Sequence, residues 1–223
     1  MQIHSNPIPQ IKICGLTNAE QALGCVAAGA DAIGLVFYEK SPRNVTEEQA
    51  RAICDALPEK VPGVGVFVNE SFEFIMGKVK TCGLKAAQLH GQEGPEMVAR
   101  LRESGLIVIK GLYVNKAPLL KEADDFDASG FLVECGKGKL PGGNAMTWNW
   151  GEVRGFGEDH PMILAGGLAP DNIAQAIDAS QPDAVDISSG VESSPGQKDL
   201  DKVRAFMDGV LQSNLRREPR RIF

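Results

Sequence analysis

Several short stretches of this chain place proton-transfer groups where apolar residues would be the rule. Ile11-Lys12-Ile13-Cys14 alternates, so in an extended backbone Lys12 and Cys14 share one face and the isoleucines the other. Gln88-Leu89-His90 repeats the pattern, Glu134 closes the apolar run from Gly130, and Asp186 interrupts Val185 and Ile187. A thiol, an ammonium, an imidazole and two carboxylates on such faces are components of general acid–base chemistry. A thiol just beyond a lysine, at the end of a strand, is in electropositive surroundings that lower its pKa, which makes Cys14 a candidate base or nucleophile. Lys12 and Asp186 read as an ion pair that supports Cys14 rather than as reacting groups. His90 fits a site-lining residue and a hydrogen-bonded core histidine equally well.

Two glycine-rich segments add anion sites. Ala165-Gly166-Gly167-Leu168 runs into a helix opened by Pro170-Asp171-Asn172, and Ser188-Ser189-Gly190-Val191-Glu192 could open a short helix of its own. Glycine lets backbone approach a ligand closely, and free N–H groups at such turns attract phosphate. The substrate implied is a phosphorylated small molecule. Arg43, in Lys40-Ser41-Pro42-Arg43-Asn44, could grip a carboxylate with two parallel hydrogen bonds, although composition alone reads it as a surface arginine.

These groups need a frame. Strand-like runs cover residues 10–14, 32–37, 64–68, 87–90, 107–112, 130–134, 162–165 and 184–187, separated by helical patterns over residues 71–81, 95–104, 170–179 and 199–211 among others. Thr46 and Gln49 are spaced as a capping box before one of them. Eight strand–helix units in 223 residues suit a (β/α)8 barrel, read as one domain over residues 1–223. An open doubly wound sheet would carry a G-x-G-x-x-G turn after its first strand, and Cys14-Gly15-Leu16-Thr17 is not one. In the barrel every polar group singled out above falls at or near a strand's C-terminal end, where this fold builds its active sites, and the two glycine segments follow strands seven and eight, a recurrent phosphate position.

Composition narrows the classes. With 43% hydrophobic residues and a net charge of −6, the chain is globular and lacks the basic face of a nucleic-acid binder. No apolar run nears the roughly 18 residues of a membrane span, and the first ten residues lack a secretory pattern. The five cysteines have no metal-ligand spacing and suit a reducing, cytoplasmic compartment. Residues 1–9 read as a short polar extension and residues 216–223 as a basic, solvated tail.

Taken in order, Ile11-Lys12-Ile13-Cys14-Gly15-Leu16-Thr17, Gly34-Leu35-Val36-Phe37-Tyr38 with Ser41-Pro42-Arg43, Val64-Gly65-Val66-Phe67-Val68, Gln88-Leu89-His90-Gly91, Ala165-Gly166-Gly167-Leu168 and Val185-Asp186-Ile187-Ser188-Ser189-Gly190-Val191-Glu192 resemble the phosphoribosylanthranilate isomerase family. The resemblance runs from residue 10 to about residue 211. It implies a (β/α)8 barrel that performs an Amadori rearrangement in tryptophan biosynthesis, with neither metal nor organic cofactor; separately from the resemblance, a monomer or weak homodimer is expected. The resemblance further implies that Cys14 is the general base, that Arg43 holds the anthranilate carboxylate, and that Gly166, Gly167, Ser189 and Gly190 bind phosphate. The family's acid at the end of strand six is an aspartate, and here it is Glu134. The following segment, Gly142-Gly143-Asn144-Ala145-Met146-Thr147-Trp148-Asn149-Trp150, lacks the family's usual glycine and lysine. That divergence keeps two alternatives open: an isomerase for another phosphorylated aminoaldose, and a barrel that binds phosphate ligands without turnover.

Overall fold

The computed structural model describes residues 7–136 and 147–223. Eight parallel strands pair in sequence order and close into a barrel: β1 (Gln10–Cys14), β2 (Ala32–Phe37), β3 (Gly63–Phe67), β4 (Ala86–Leu89), β5 (Ile107–Tyr113), β6 (Gly130–Glu134), β7 (Met162–Leu164) and β8 (Ala184–Ile187). The first, second, sixth and eighth match the hydrophobic pattern end for end, and the others differ by one residue. Val68 and His90 leave the ladder and line the mouth of the barrel instead.

The helices form the outer ring. They are α1 (Ala19–Ala28), α2 (Glu47–Ala56), α3 (Phe72–Cys82), α4 (Pro95–Glu103), α5 (Arg154–Asp159), α6 (Ile173–Ser180) and α7 (Leu200–Leu211). The capping box is present, with Thr46 accepting from the Gln49 N–H and Gln49 from the Thr46 N–H. After β5 there is a 3-10 turn over Leu120–Asp125 in place of a full helix. Helix α6 starts three residues later than expected. Asn172 folds back to accept from the Ala169 N–H and donate to the Gly167 carbonyl, which turns Pro170 and Asp171 into a loop. Such local side-chain bonds compete with helix.

Isoleucines 11 and 13 pack outward between barrel and helices, whereas Ala32, Val64, Ala86, Ile109, Leu132, Ile163 and Ala184 fill the barrel interior. Alternation therefore sends Lys12 and Cys14 inward, as expected. Directly paired Cα positions join Lys12 to Asp186 and Cys14 to Gly34.

The basic C-terminus is not a solvated tail. Ile222 and Phe223 are buried and join the inner cluster at the barrel's N-terminal end, and Gln10 accepts from the Ile222 N–H and donates to the Phe223 carbonyl. Arg217 and Arg220 converge on fully buried Asp183, at 2.7 and 2.9 Å, and Asp183 also accepts from the Met162 N–H. An open barrel bottom exposes apolar lining, and these two terminal residues cover it. Residues 1–6 of the expected N-terminal extension lie outside the described residues.

Burial opposes ionisation of Asp183, but its arginine and backbone donors hold the carboxyl below its ordinary value of 3.8. Its stabilisation is therefore fully present above that pH and is lost as pH falls through the depressed value. Asp183→Ala is expected to cost about 3 kcal/mol, since it strands two arginines and a buried N–H. Thermal unfolding at neutral pH should show this as a drop in Tm of roughly 10 °C, and an unchanged Tm would mean that the tail docks without help from Asp183.

Candidate active site

At the C-terminal end of the strands the mouth opens into a cavity of about 80 Å3, lined among others by Cys14, Arg43, Gln88, His90, Glu134 and Asp186. A second pocket of about 40 Å3 is lined among others by Gly166, Gly167, Ser189 and Gly190. Glu134, Asp186 and Ser188 belong to both linings, so the two spaces adjoin. Every candidate named from the sequence therefore faces one of them except Lys12, which is fully buried beneath the floor.

Lys12 Nζ lies 2.5 Å from Asp186 Oδ1. Burial opposes its charge, yet Asp186 and Cys14 hold the ammonium above the ordinary lysine value. The expectation for Cys14 fails in this respect. Burial pushes the thiol up from its ordinary 9.0, Lys12 pulls it down, and Asp186 pushes it up again. Burial is the largest of these effects and outweighs the pull of Lys12, so the proximity of a lysine does not by itself produce a low thiol pKa here. Space for the thiol comes from Gly34, where an added Cβ would stand 2.6 Å from Cys14 Sγ.

Opposite, His90 Nε2 is 3.5 Å from Glu134 Oε2, and Gln88 Nε2 is 3.2 Å from His90 Nδ1. With the Gln88 amide donating, Nδ1 is the acceptor and Nε2 is the nitrogen that faces Glu134. Among the described residues, Gln88 Oε1 and His90 Nε2 are the buried side-chain atoms without a hydrogen-bond partner. Each such orphan costs about 1–3 kcal/mol. Both residues line the cavity, which marks it as a place built to receive a polar ligand. Gln88 was legible in the sequence as inward-facing but not as unpartnered.

Arg43 is not a surface arginine: it is 9% exposed. The two-bond grip expected for a ligand carboxylate is made instead to Glu192, from Nε at 2.8 Å and Nη2 at 2.6 Å. Among the described residues Nη1 has no hydrogen-bond partner, and that edge remains for a ligand. The stem crosses Gly15, a residue at φ +81° where an added Cβ would collide with Arg43 Cδ.

The glycines of the smaller pocket are structurally required. Gly166 and Gly167 have φ of +87° and +71°, a region that side chains resist. A Cβ on Gly190 would strike the Leu168 carbonyl oxygen. Ser189–Val191 forms one 3-10 turn, which matches the short helix expected there. The indole N–H groups of Trp148 and Trp150 both donate to the Gly166 carbonyl at 3.2 Å, so the far end of the divergent segment is anchored on the glycine turn. Residues 142–146 of that segment lie outside the described residues.

The family model described as N-(5'phosphoribosyl)anthranilate (PRA) isomerase matches residues 11–209. A protein of Desulfatibacillum aliphaticivorans named N-(5'-phosphoribosyl)anthranilate isomerase is 51% identical over 96% of this chain and 98% of its own. A phosphoribosyl anthranilate isomerase solved in complex with reduced 1-(o-carboxyphenylamino)-1-deoxyribulose 5-phosphate superposes with a TM-score of 0.80. It is 38% identical and covers 91% of this chain and 98% of its own. Monomers generated from the dimeric enzyme of Thermotoga maritima give a TM-score of 0.79 at 37% identity, over the same shares.

Proposed function

This chain belongs to the N-(5'-phosphoribosyl)anthranilate isomerase family, and from that premise we propose how its residues divide the work of the reaction. The enzyme converts N-(5'-phosphoribosyl)anthranilate into 1-(o-carboxyphenylamino)-1-deoxyribulose 5-phosphate, an Amadori rearrangement in tryptophan biosynthesis. The observation that carries the assignment of roles is the joined pair of pockets, with a thiol and a carboxyl on the walls of one and a glycine-lined anion site in the other.

Glu134, protonated, gives its proton to the furanose ring oxygen. The anthranilate nitrogen pushes in as the C1'–O bond breaks, leaving a protonated Schiff base. Cys14, as thiolate, removes the C2' proton. The electron pair moves into the C1'–C2' bond and neutralises the nitrogen, giving an enolamine. This enolamine gains a proton at C1' and loses one from the 2'-hydroxyl to become the aminoketone. Lys12 and Asp186 support Cys14 from below, and His90 faces Glu134. The phosphate sits on the backbone of Gly166, Gly167, Ser189 and Gly190, whose turns allow N–H groups to approach it. The Nη1 edge of Arg43 meets the anthranilate carboxylate.

The family relationship supports treating residues 1–223 as one catalytic domain. Among the described residues no helix is long and apolar enough to cross a membrane, and a cytoplasmic biosynthetic enzyme, monomeric or weakly dimeric, is the setting that fits this chemistry. The test is to mix purified protein with freshly generated phosphoribosylanthranilate and follow the anthranilate fluorescence. Fluorescence should be lost with formation of the carboxyphenylamino ketose. Stable fluorescence, with the reduced product analogue still bound, would turn the assignment toward another substrate or toward binding alone.

A further inference from the structure

The chain after β8 continues past the phosphate turn into a hairpin, β9 (Glu192–Ser194) and β10 (Gln197–Lys198), in which Lys198 pairs with Glu192. Both side chains fold inward and are buried. Glu192 spends both oxygens on Arg43, and its Oε1 also accepts from Lys198 Nζ at 2.8 Å and from the Gly196 N–H at 3.2 Å. Lys198 Nζ in turn donates to the Ser188 carbonyl at 3.1 Å and to Ser188 Oγ at 3.4 Å. Ser188 borders both pockets.

Two consequences follow from charge and geometry. A bidentate arginine–glutamate pair is neutral, so alone it gives a ligand carboxylate little net attraction. Burial lowers the pKa of Lys198 while Glu192 holds its charge, and with Lys198 charged the cluster has two cations and one anion, which restores one positive charge opposite a monoanionic carboxylate. The bidentate contact also fixes the guanidinium plane, so Nη1 is presented in one orientation and the entropy of ordering a free arginine is not lost at binding.

We propose that Glu192 and Lys198 are positioning residues for recognition of the ligand's carboxylate, Glu192 by fixing the plane of Arg43 and Lys198 by supplying the charge that lets the pair attract an anion. This rests on Arg43 as the carboxylate site and deepens that assignment. The cluster is also one continuous link from Arg43 to Ser188, so the carboxylate site and the phosphate turn are held at a fixed spacing by the hairpin.

The test compares binding of two probes by calorimetry: reduced 1-(o-carboxyphenylamino)-1-deoxyribulose 5-phosphate and its counterpart without the ring carboxylate. The ratio of their affinities isolates the carboxylate and is insensitive to a general loss of stability. In the wild type this ratio should be about 100-fold, and in Arg43→Ala about one. Glu192→Gln and Lys198→Met should each lower it about tenfold, and Lys198→Arg should restore most of it. Adding Lys198→Met to Arg43→Ala should change the ratio no further, because both act on one contact. If Arg43→Ala collapses the ratio while Glu192→Gln and Lys198→Met keep it, the positioning role is wrong. If Arg43→Ala itself keeps the ratio, Arg43 is not the carboxylate site and the proposal falls with it. Should Glu192→Gln not fold, Lys198→Met against Lys198→Arg decides the matter.

Discussion

Replacing Glu134 with glutamine is expected to lower kcat by about 10²- to 10⁴-fold, the usual worth of a proton-transfer group, while KM changes by only about two- to three-fold. Ring opening needs a proton on the leaving oxygen in the transition state, and glutamine keeps the volume and polarity of Glu134 but has no proton to give. Ground-state contacts to phosphate and carboxylate lie elsewhere, so loss of an interaction made only in the transition state falls on kcat. Glu134→Asp retains the acid on a shorter stem and should fall between the two, because a displacement near 1 Å can cost about 10²-fold. Steady-state kinetics on the three proteins separates these cases. A Glu134→Gln enzyme with wild-type kcat would remove Glu134 from the chemistry.

Cys14→Ala should be at least as damaging, again in kcat rather than KM, since it removes the group assigned to the C2' proton. Its pH signature is distinctive. Burial places the free-enzyme thiol above its ordinary value of 9.0, so near neutral pH the thiolate is a minor form. The competent enzyme is then the minor form in which Cys14 has lost its proton, and the thiol sets the alkaline limb of the profile. The limb of kcat/KM should therefore lie above about pH 9 and should be missing from the residual activity of Cys14→Ala. A limb near neutrality would mean that the thiol is activated in the free enzyme after all, with Lys12 outweighing burial.

The barrel was legible because its signal is redundant. Eight apolar runs, each bounded by turn residues, leave few other closures, and alternation within a single run was enough to turn Lys12 and Cys14 inward. The same alternation turned Gln88 and His90 one way, and their places in strands six and eight brought Glu134 and Asp186 to the same mouth. Apart from the Lys12–Asp186 pair of the first and last strands, what depends on pairing between distant segments was missing from the sequence. Arg43 read as a surface residue because Glu192, 149 positions away, cannot be matched to it by local pattern. Lys198 was not singled out at all, and its only trace is a charge placed across a Pro-Gly turn from Glu192. The thiol pKa was misjudged for a different reason: Lys12 and its pairing with Asp186 were visible beside Cys14, but the depth of burial that outweighs Lys12 was not. The docked C-terminus shows the limit of composition, since Arg217 and Arg220 look solvated until Asp183 is found between them. The Glu134 departure also has a spatial setting. Its Cγ and Oε1 would stand 3.6 Å from a Cβ on Gly166, so the longer stem lies over a residue with no side chain.

The central claim is that Glu134 supplies the proton and Cys14 removes one in the same cavity. It is tested most directly by following anthranilate fluorescence after adding phosphoribosylanthranilate to wild type, Glu134→Gln and Cys14→Ser, each first titrated with the reduced product analogue. The expected result is comparable analogue binding by all three proteins, with rapid loss of fluorescence in the wild type alone. Wild-type turnover by either variant, with analogue binding intact, would contradict the assignment of that residue and place its proton transfer on another group in the cavity.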